Sequence, residues 1–290
     1  MERDSANAPQ AAYWNEIGGP HWVEQQHQFD RMLAAFGARA LEALQPTAGE
    51  RVLDIGCGTG TSSLALSEAV GPTGEVLGCD IAPTMIAAAR ARCAAIDGLA
   101  SSQLSFAVLD AQTDVLGSAD RPFDAVFSRF GVMFFSDPAA AFANVARHVR
   151  RGGRMAFACW QSEERNEWIA VPARVMRGFM PNPVSPQPNA PGPFAFGNLA
   201  RVDEVLLAGN WTNVNIESFT ASTELGAGLG LEAALRQTMG TRAAQDLRVQ
   251  VDDATFQAAT AAVRAALGEH LVDGAVVFDG NVWVVTAAVS

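Results

Sequence analysis

Apolar positions in the chain fall into two periods that alternate. Residues 27–44, HQFDRMLAAFGARALEAL, place Phe29, Met32, Leu33, Phe36, Ala40, Leu41 and Leu44 near a 3.6-residue repeat, which predicts an amphipathic helix closed by Pro46. RVLDI follows as a short apolar run of the kind expected for a strand buried on both faces. TSSLALSEAV then reads as helix and stops at GPTG, and EVLGCD reads as a second strand. APTMIAAARARCAAIDG is a helix with Pro83 in its first turn and Gly98 as its end signal. LSFAVLD and FDAVFS make the third and fourth strands. PAAAFANVARHV opens behind Asp137 as N-cap, with Pro138 in the first helical position, and GGRMAFACW makes the fifth strand. Strands separated by helices predict right-handed βαβ units, hence an α/β fold on a parallel sheet covered on both faces.

The rhythm breaks after a helix over residues 167–177. Residues 179–197, FMPNPVSPQPNAPGPFAFG, are too rich in proline for a regular element, and a loop of that length inside a compact domain reads as a lid or binding segment. LARVDEVLLAG and VNIESFT resume the alternation, helices are predicted near 231–239 and 254–267, and VVFDGNVWVVTAAV reads as a final strand with a turn at Asp279-Gly280. This divides the chain into an N-terminal helical cap, 1–45, and a main domain, 46–290, with a proline-rich lid insertion at about 161–197.

Composition removes several function classes. The chain has 290 residues, is 49% hydrophobic and carries a formal net charge of −11, so it can bury a large core and does not suit a nucleic-acid partner. All 20 basic residues are arginine, which excludes a P-loop, Schiff-base or catalytic lysine. Cys57, Cys79, Cys93 and Cys159 show neither zinc-ligand nor disulfide spacing. The start MERDSANAPQ lacks an apolar leader, and no apolar run approaches the roughly 18 residues of a membrane span. The expectation is a cytoplasmic protein with a small-molecule substrate and no membrane partner; a homodimer is left open.

Gly56, Gly58 and Gly60 stand at the end of the first strand, where open parallel sheets bind ligands. Thr61 occupies the position at which a dinucleotide site needs its third glycine, and Asp54 would repel a pyrophosphate but suits an ammonium group. Asp80 ends the second strand where a carboxylate accepts both ribose hydroxyls, and Asp110, Ala111 and Gln112 end the third where polar groups can read an adenine edge. The set describes a pocket for adenosine joined to an amino acid without phosphates, which is S-adenosylmethionine.

The stretches VLDIGCGTG, VLGCDIAPTMIAAAR, FAVLDAQ, FDAVFSRFGVMFF and RHVRRGGRMAF, in this order over residues 51–157, resemble the motifs of class I S-adenosylmethionine-dependent methyltransferases. They are most similar to the ubiquinone/menaquinone-biosynthesis type of small-molecule methyltransferases. The resemblance implies a Rossmann-like, doubly wound, mostly parallel seven-stranded sheet of order 3-2-1-4-5-7-6 with the last strand antiparallel. It implies that Gly56, Gly58 and Gly60 lie against the methionine part, that Asp54 helps hold its amino group and that Asp80 takes the ribose. It also implies that Ile81 packs on adenine, that Asp110 and Gln112 bracket its amine, and that Ser128 lies beneath the methionine moiety. The resemblance ends after Trp160, so it implies no particular acceptor.

The N-terminal stretch YWNEIGGPHWVEQQHQF concentrates Tyr13, Trp14, His21 and Trp22, more than a solvated leader needs, and is expected to fold over the cofactor and complete the acceptor pocket. His21, and less so His27, is a candidate to touch substrate or act as base. Arg129, flanked by aromatics after the fourth strand, is a candidate to hold a substrate oxygen, with an ion pair to a neighbouring acid as the plain alternative. Phe134, Phe135, Trp160 and Trp168 are candidates for an apolar cavity or for ordinary core. The expected chemistry is metal-free, in-line methyl transfer to O or C of an apolar, aromatic or polyketide-like acceptor. Alternatives are a protein that binds S-adenosylmethionine without transferring methyl, such as a cyclase or scaffold, and a nicotinamide-dependent oxidoreductase.

Overall fold

The computed structural model describes residues 7–96, 103–183, 187 and 189–290. Gly98, the first six residues of the cap, and Val184, Ser185, Pro186 and Pro188 of the proline-rich segment lie outside the described residues.

The described residues of the N-terminal segment are helical. α1 (Ala8–Tyr13) runs into a π-helical turn over Trp14–Gly18, then α2 (Gly19–Glu24) and α3 (Gln26–Leu44). The wide turn is tolerated because Gly19 follows it: a β-carbon there would sit 2.1 Å from the Trp14 carbonyl oxygen. α3 buries Met32, Leu33, Phe36, Ala40 and Leu44, the stripe its periodicity predicts.

The alternation then follows as read: β1 (Arg51–Ile55), α4 (Thr61–Val70), β2 (Glu75–Asp80), α5 (Pro83–Ala94), β3 (Leu104–Val108), β4 (Phe123–Arg129), α6 (Pro138–Ala146) and β5 (Val149–Trp160). The Asp137 carboxylate accepts from the Ala140 amide and caps α6. Beyond it lie α7 (Glu167–Arg177), α8 (Leu199–Ala208), β6 (Trp211–Leu225), α9 (Leu231–Met239), α10 (Arg242–Gln250), α11 (Asp253–Gly268), β7 (Leu271–Val272) and β8 (Ala275–Val289). The sheet order is β3-β2-β1-β4-β5-β8-β6, with β7 paired to β8. This is the expected order with one short strand added. β1 through β5 are parallel, and β8 runs antiparallel to both β5 and β6.

The expected Asp279-Gly280 turn is not there; both residues lie inside β8, opposite Ser222 and Ala221. Gly280 is needed for close approach rather than for turning, since a β-carbon would come within 2.5 Å of the Phe36 ring. The turn is at Asp273-Gly274, where φ is 48° and 86° between β7 and β8.

β1 has β2 on one side and β4 on the other, so the connections leaving its carboxyl end and that of β4 cross to opposite faces. A crevice opens at such a point. The second half of the proline-rich segment is tied to this edge: the Gly192 amide donates to the Met133 carbonyl at 3.0 Å, and Phe196 is buried against Phe142 and Phe157.

Candidate cofactor site

The three loop glycines are required for three different reasons. All have positive φ, 63°, 55° and 86° for Gly56, Gly58 and Gly60. A β-carbon on Gly56 would lie 2.6 Å from the Gly131 Cα, so the loop after β1 touches the loop after β4 backbone to backbone. At Gly60 the neighbours are Phe106 and Ala89, at 3.1 and 3.2 Å. In front of Gly58 no atom of the described residues lies within 4 Å, and of the three this is the glycine that faces open space. Ser128, buried, holds the two loops together by donating to the Ile55 carbonyl at 2.8 Å and accepting from the Gly131 amide at 3.2 Å. Phe130 beside it has φ 65°, a costly conformation for a bulky residue, held by its stacking on Trp160 at 4.4 Å.

Asp54 is fully buried, and its Oδ2 accepts from Ser62 Oγ at 2.7 Å and Ser63 Oγ at 2.6 Å. Its Oδ1 has no hydrogen-bond partner among the described residues. Burial pushes this carboxyl up to about 6, against the two serine hydrogen bonds and the nearby Arg129 charge. An orphaned buried acceptor beside an open glycine loop fits a donor supplied from outside the chain.

Asp80, half-buried at the end of β2, accepts from the Gly58 amide at 3.0 Å and the Ala82 amide at 2.9 Å. Its carboxylate fixes at once the glycine loop and Ala82, the residue ahead of α5. Burial raises its pKa and these amides lower it. At the end of β3, Asp110, Ala111 and Gln112 are all buried. Asp110 and Ile81 border a cavity of about 700 Å³, together with Leu109, Thr113, Ala8 and Ala11. The last two come from α1, so the cap supplies one wall. Gln112 does not bracket this cavity with its side chain: its Oε1 accepts from the Asp137 amide at 3.0 Å and the Ser136 hydroxyl at 3.2 Å. Its backbone amide instead donates to Asp110 Oδ1 at 2.9 Å. Ala111 contributes its carbonyl to Asn144 at 2.9 Å.

Arg129 does not present itself to an acceptor. Its guanidinium lies 3.4 Å from Asp30 Oδ1 and its aliphatic part is covered by Gly37, so the plain ion-pair alternative describes it. Asp30 is the centre of a cluster not visible in the sequence: Thr61 Oγ1 donates to it at 2.5 Å and Arg92 at 2.9 Å. Thr61, which breaks the dinucleotide pattern, is therefore an anchor between α3, α4 and α5.

In the cap, Trp14 meets Phe134 edge-on at 5.1 Å and packs on Tyr13 and Trp22, which itself stacks on Phe29 at 4.1 Å. Tyr13 lies under the Arg242 guanidinium, and burial raises its pKa. His21 packs against Phe29 and the backbone of Gly240; burial lowers its pKa, and its Nε2 has no partner among the described residues. His27 is exposed. Trp160 is plain core, 3% exposed, with Trp168 half-buried upon it at 4.9 Å. Phe135 is buried, against Phe142.

Residues 52–153 match the family model described as a methyltransferase domain. Aklanonic acid methyltransferase DauC of Streptomyces sp. (strain C5) is 41% identical over 133 residues, covering 44% of this chain and 58% of the relative. The demethylmenaquinone methyltransferase of Thermus thermophilus is 36% identical over 129 residues, covering 42% and 56%. The chain thus spans a little over half the length of these two curated relatives. Among solved structures, the YcgJ protein of Bacillus subtilis superimposes with a TM-score of 0.57 over 87% of this chain and 97% of that one, at 17% identity, which shows a shared fold.

Proposed function

We propose that this chain, whose residues 52–153 match a methyltransferase-domain model, transfers a methyl group from S-adenosylmethionine to O or C of a small, apolar acceptor of aromatic or polyketide type. The observation that carries this reading is the β1 loop, where Gly58 faces open space and the buried Asp54 keeps an unpartnered oxygen. In this reading Asp54 receives the ammonium group, Gly58 lies against the methionine part, Asp80 takes the ribose and Ile81 and Asp110 take the adenine. When bound, S-adenosylmethionine supplies a methyl already activated by positive sulfur.

What is left for the protein is alignment and exclusion of water. The Ser128 bridge between the β1 and β4 loops supplies rigidity. The aromatic layer of Trp14, Trp22, Phe29 and Phe134 supports an apolar acceptor under the cap, and the name of the DauC relative supports an organic acid in that class. The cap of residues 1–45 and the proline-rich insertion at about 161–197 close the site. His21, half-buried, with its pKa lowered by burial and its Nε2 without a partner among the described residues, has the character of a base for an acceptor that must lose a proton.

The test is release of S-adenosylhomocysteine from S-adenosylmethionine against a panel of aromatic and polyketide-like phenols, enols and carboxylic acids. Release dependent on one acceptor class is expected. Tight S-adenosylhomocysteine binding with no transfer across the panel would replace this reading by a protein that holds the ligand without using its methyl.

A further inference from the structure

One contact at the adenine end has no part in that reading. Asn7 is 2% exposed, and its Nδ2 donates to both oxygens of Asp110, at 2.9 and 3.1 Å. Its Oδ1 accepts from the Ser136 amide at 2.9 Å. A carboxamide offers a donor and an acceptor side by side on one carbon. Adenine offers the same pair with its exocyclic amine and adjacent ring nitrogen. We infer that Asn7 is a displaceable stand-in for adenine: the Asp110 carboxylate and the Ser136 amide form the adenine seat, and α1 acts as a latch across it.

This inference rests on the cofactor reading above and adds Ser136 and Asn7 to it. Displacement, rather than coexistence, follows because the one Asn7 carboxamide holds both groups the adenine edge needs, the Asp110 carboxylate and the Ser136 amide. The Asp110 oxygens already accept from Asn7 on both sides and from the Gln112 amide at 2.9 Å. An incoming amine that needs a short, charge-assisted bond replaces the Asn7 donor. The geometry lets the latch move without disturbing the sheet: α1 is six residues long, buries no residue of its own, and sets only Ala8 and Ala11 against the adjoining cavity. A closed latch lowers apparent affinity by the fraction of molecules in which the seat is open.

Removing the competitor therefore tightens binding. Asn7→Ala, with Asn7→Ser as a second variant too short to span both partners, is expected to bind S-adenosylhomocysteine about five- to fifty-fold more tightly than the unaltered chain. In the unaltered chain, amide hydrogens of residues 11–13 are expected to lose exchange protection when S-adenosylhomocysteine binds. Equal or weaker binding by both variants, or a gain of protection in α1, would overturn the latch and leave the cofactor reading standing. Failure of the unaltered chain and both variants to bind S-adenosylhomocysteine would overturn the cofactor reading itself.

Discussion

Gly56→Ala is expected to cost the protein both its cofactor and much of its stability, while Gly58→Ala two residues on costs chiefly the cofactor. Each residue has positive φ, which alone costs an L-residue about 1–2 kcal/mol. At Gly56 the added carbon also meets the Gly131 backbone at 2.6 Å. No side chain can yield there, so the β1 and β4 loops must separate and the Ser128 bridge between them breaks. Overpacking of this kind adds about 1–3 kcal/mol, for a total of roughly 2–5 kcal/mol of stability. Ligand affinity falls by more than about a hundred-fold, because the loop that cradles the ligand no longer has its shape. At Gly58 no atom of the described residues stands within 4 Å, so stability falls only by the conformational cost, yet the new methyl projects where the proposed reading puts the methionine part. Thermal unfolding and S-adenosylhomocysteine titration of the two variants separate these effects. A Gly58→Ala variant that binds like the unaltered chain would mean that the ligand does not approach this loop.

The second large effect is a pH dependence set by Asp54. Its carboxyl is raised from the ordinary value of 3.8 to about 6 because it is buried. The sign follows from which state holds the proton: between about pH 4 and 6 the folded chain keeps it and the unfolded chain has lost it, so this site's contribution to stability falls as pH rises through that window. Above about pH 6 the fold carries the full burden of a buried charge, on the order of 3 kcal/mol. An ammonium placed at Oδ1 compensates that charge, so ligand binding requires the ionised form. S-Adenosylhomocysteine affinity is therefore expected to hold steady above about pH 6.5 and to weaken by up to about ten-fold for each pH unit below 6. Asp54→Asn is expected to bind about ten- to a hundred-fold more weakly at pH 7.5, with that pH dependence gone. Without ligand, lowering the pH from 7 to 5 should improve the stability of the unaltered chain relative to Asp54→Asn. Equal affinity for the two proteins at pH 7.5 would remove Asp54 from the site.

The parts of this architecture that were legible in the sequence are those in which local pattern and tertiary role coincide. β1, β2 and β4 are buried on both faces, so their composition is their environment, and Asp54, Asp80 and Asp110 could be placed because each is fixed to a strand end. The glycine triplet was readable as a close approach. That Gly56 serves Gly131 while Gly58 serves open space was not, since the partner lies 75 residues away in the chain. α10 is not legible because RAAQDLRVQ carries few large apolar residues; it buries only Ala244 and Leu247. Two Asp-Gly pairs, Asp273-Gly274 and Asp279-Gly280, compete locally for the hairpin turn, and only pairing with β6 and the bulk of Phe36 decide between them. The Asp30 cluster and the Asn7–Asp110 contact had no local signal at all. Asn7 and Asp110 are 103 positions apart, and an asparagine ahead of a short helix looks like any other N-cap.

The central claim is that the β1 loop is built for an adenosyl amino acid and not for a dinucleotide. Titration calorimetry of the purified chain with S-adenosylhomocysteine and, separately, with NAD tests it most directly. Saturable one-to-one binding of S-adenosylhomocysteine and no binding heat with NAD is the expected result; tight NAD binding with no response to S-adenosylhomocysteine would contradict it.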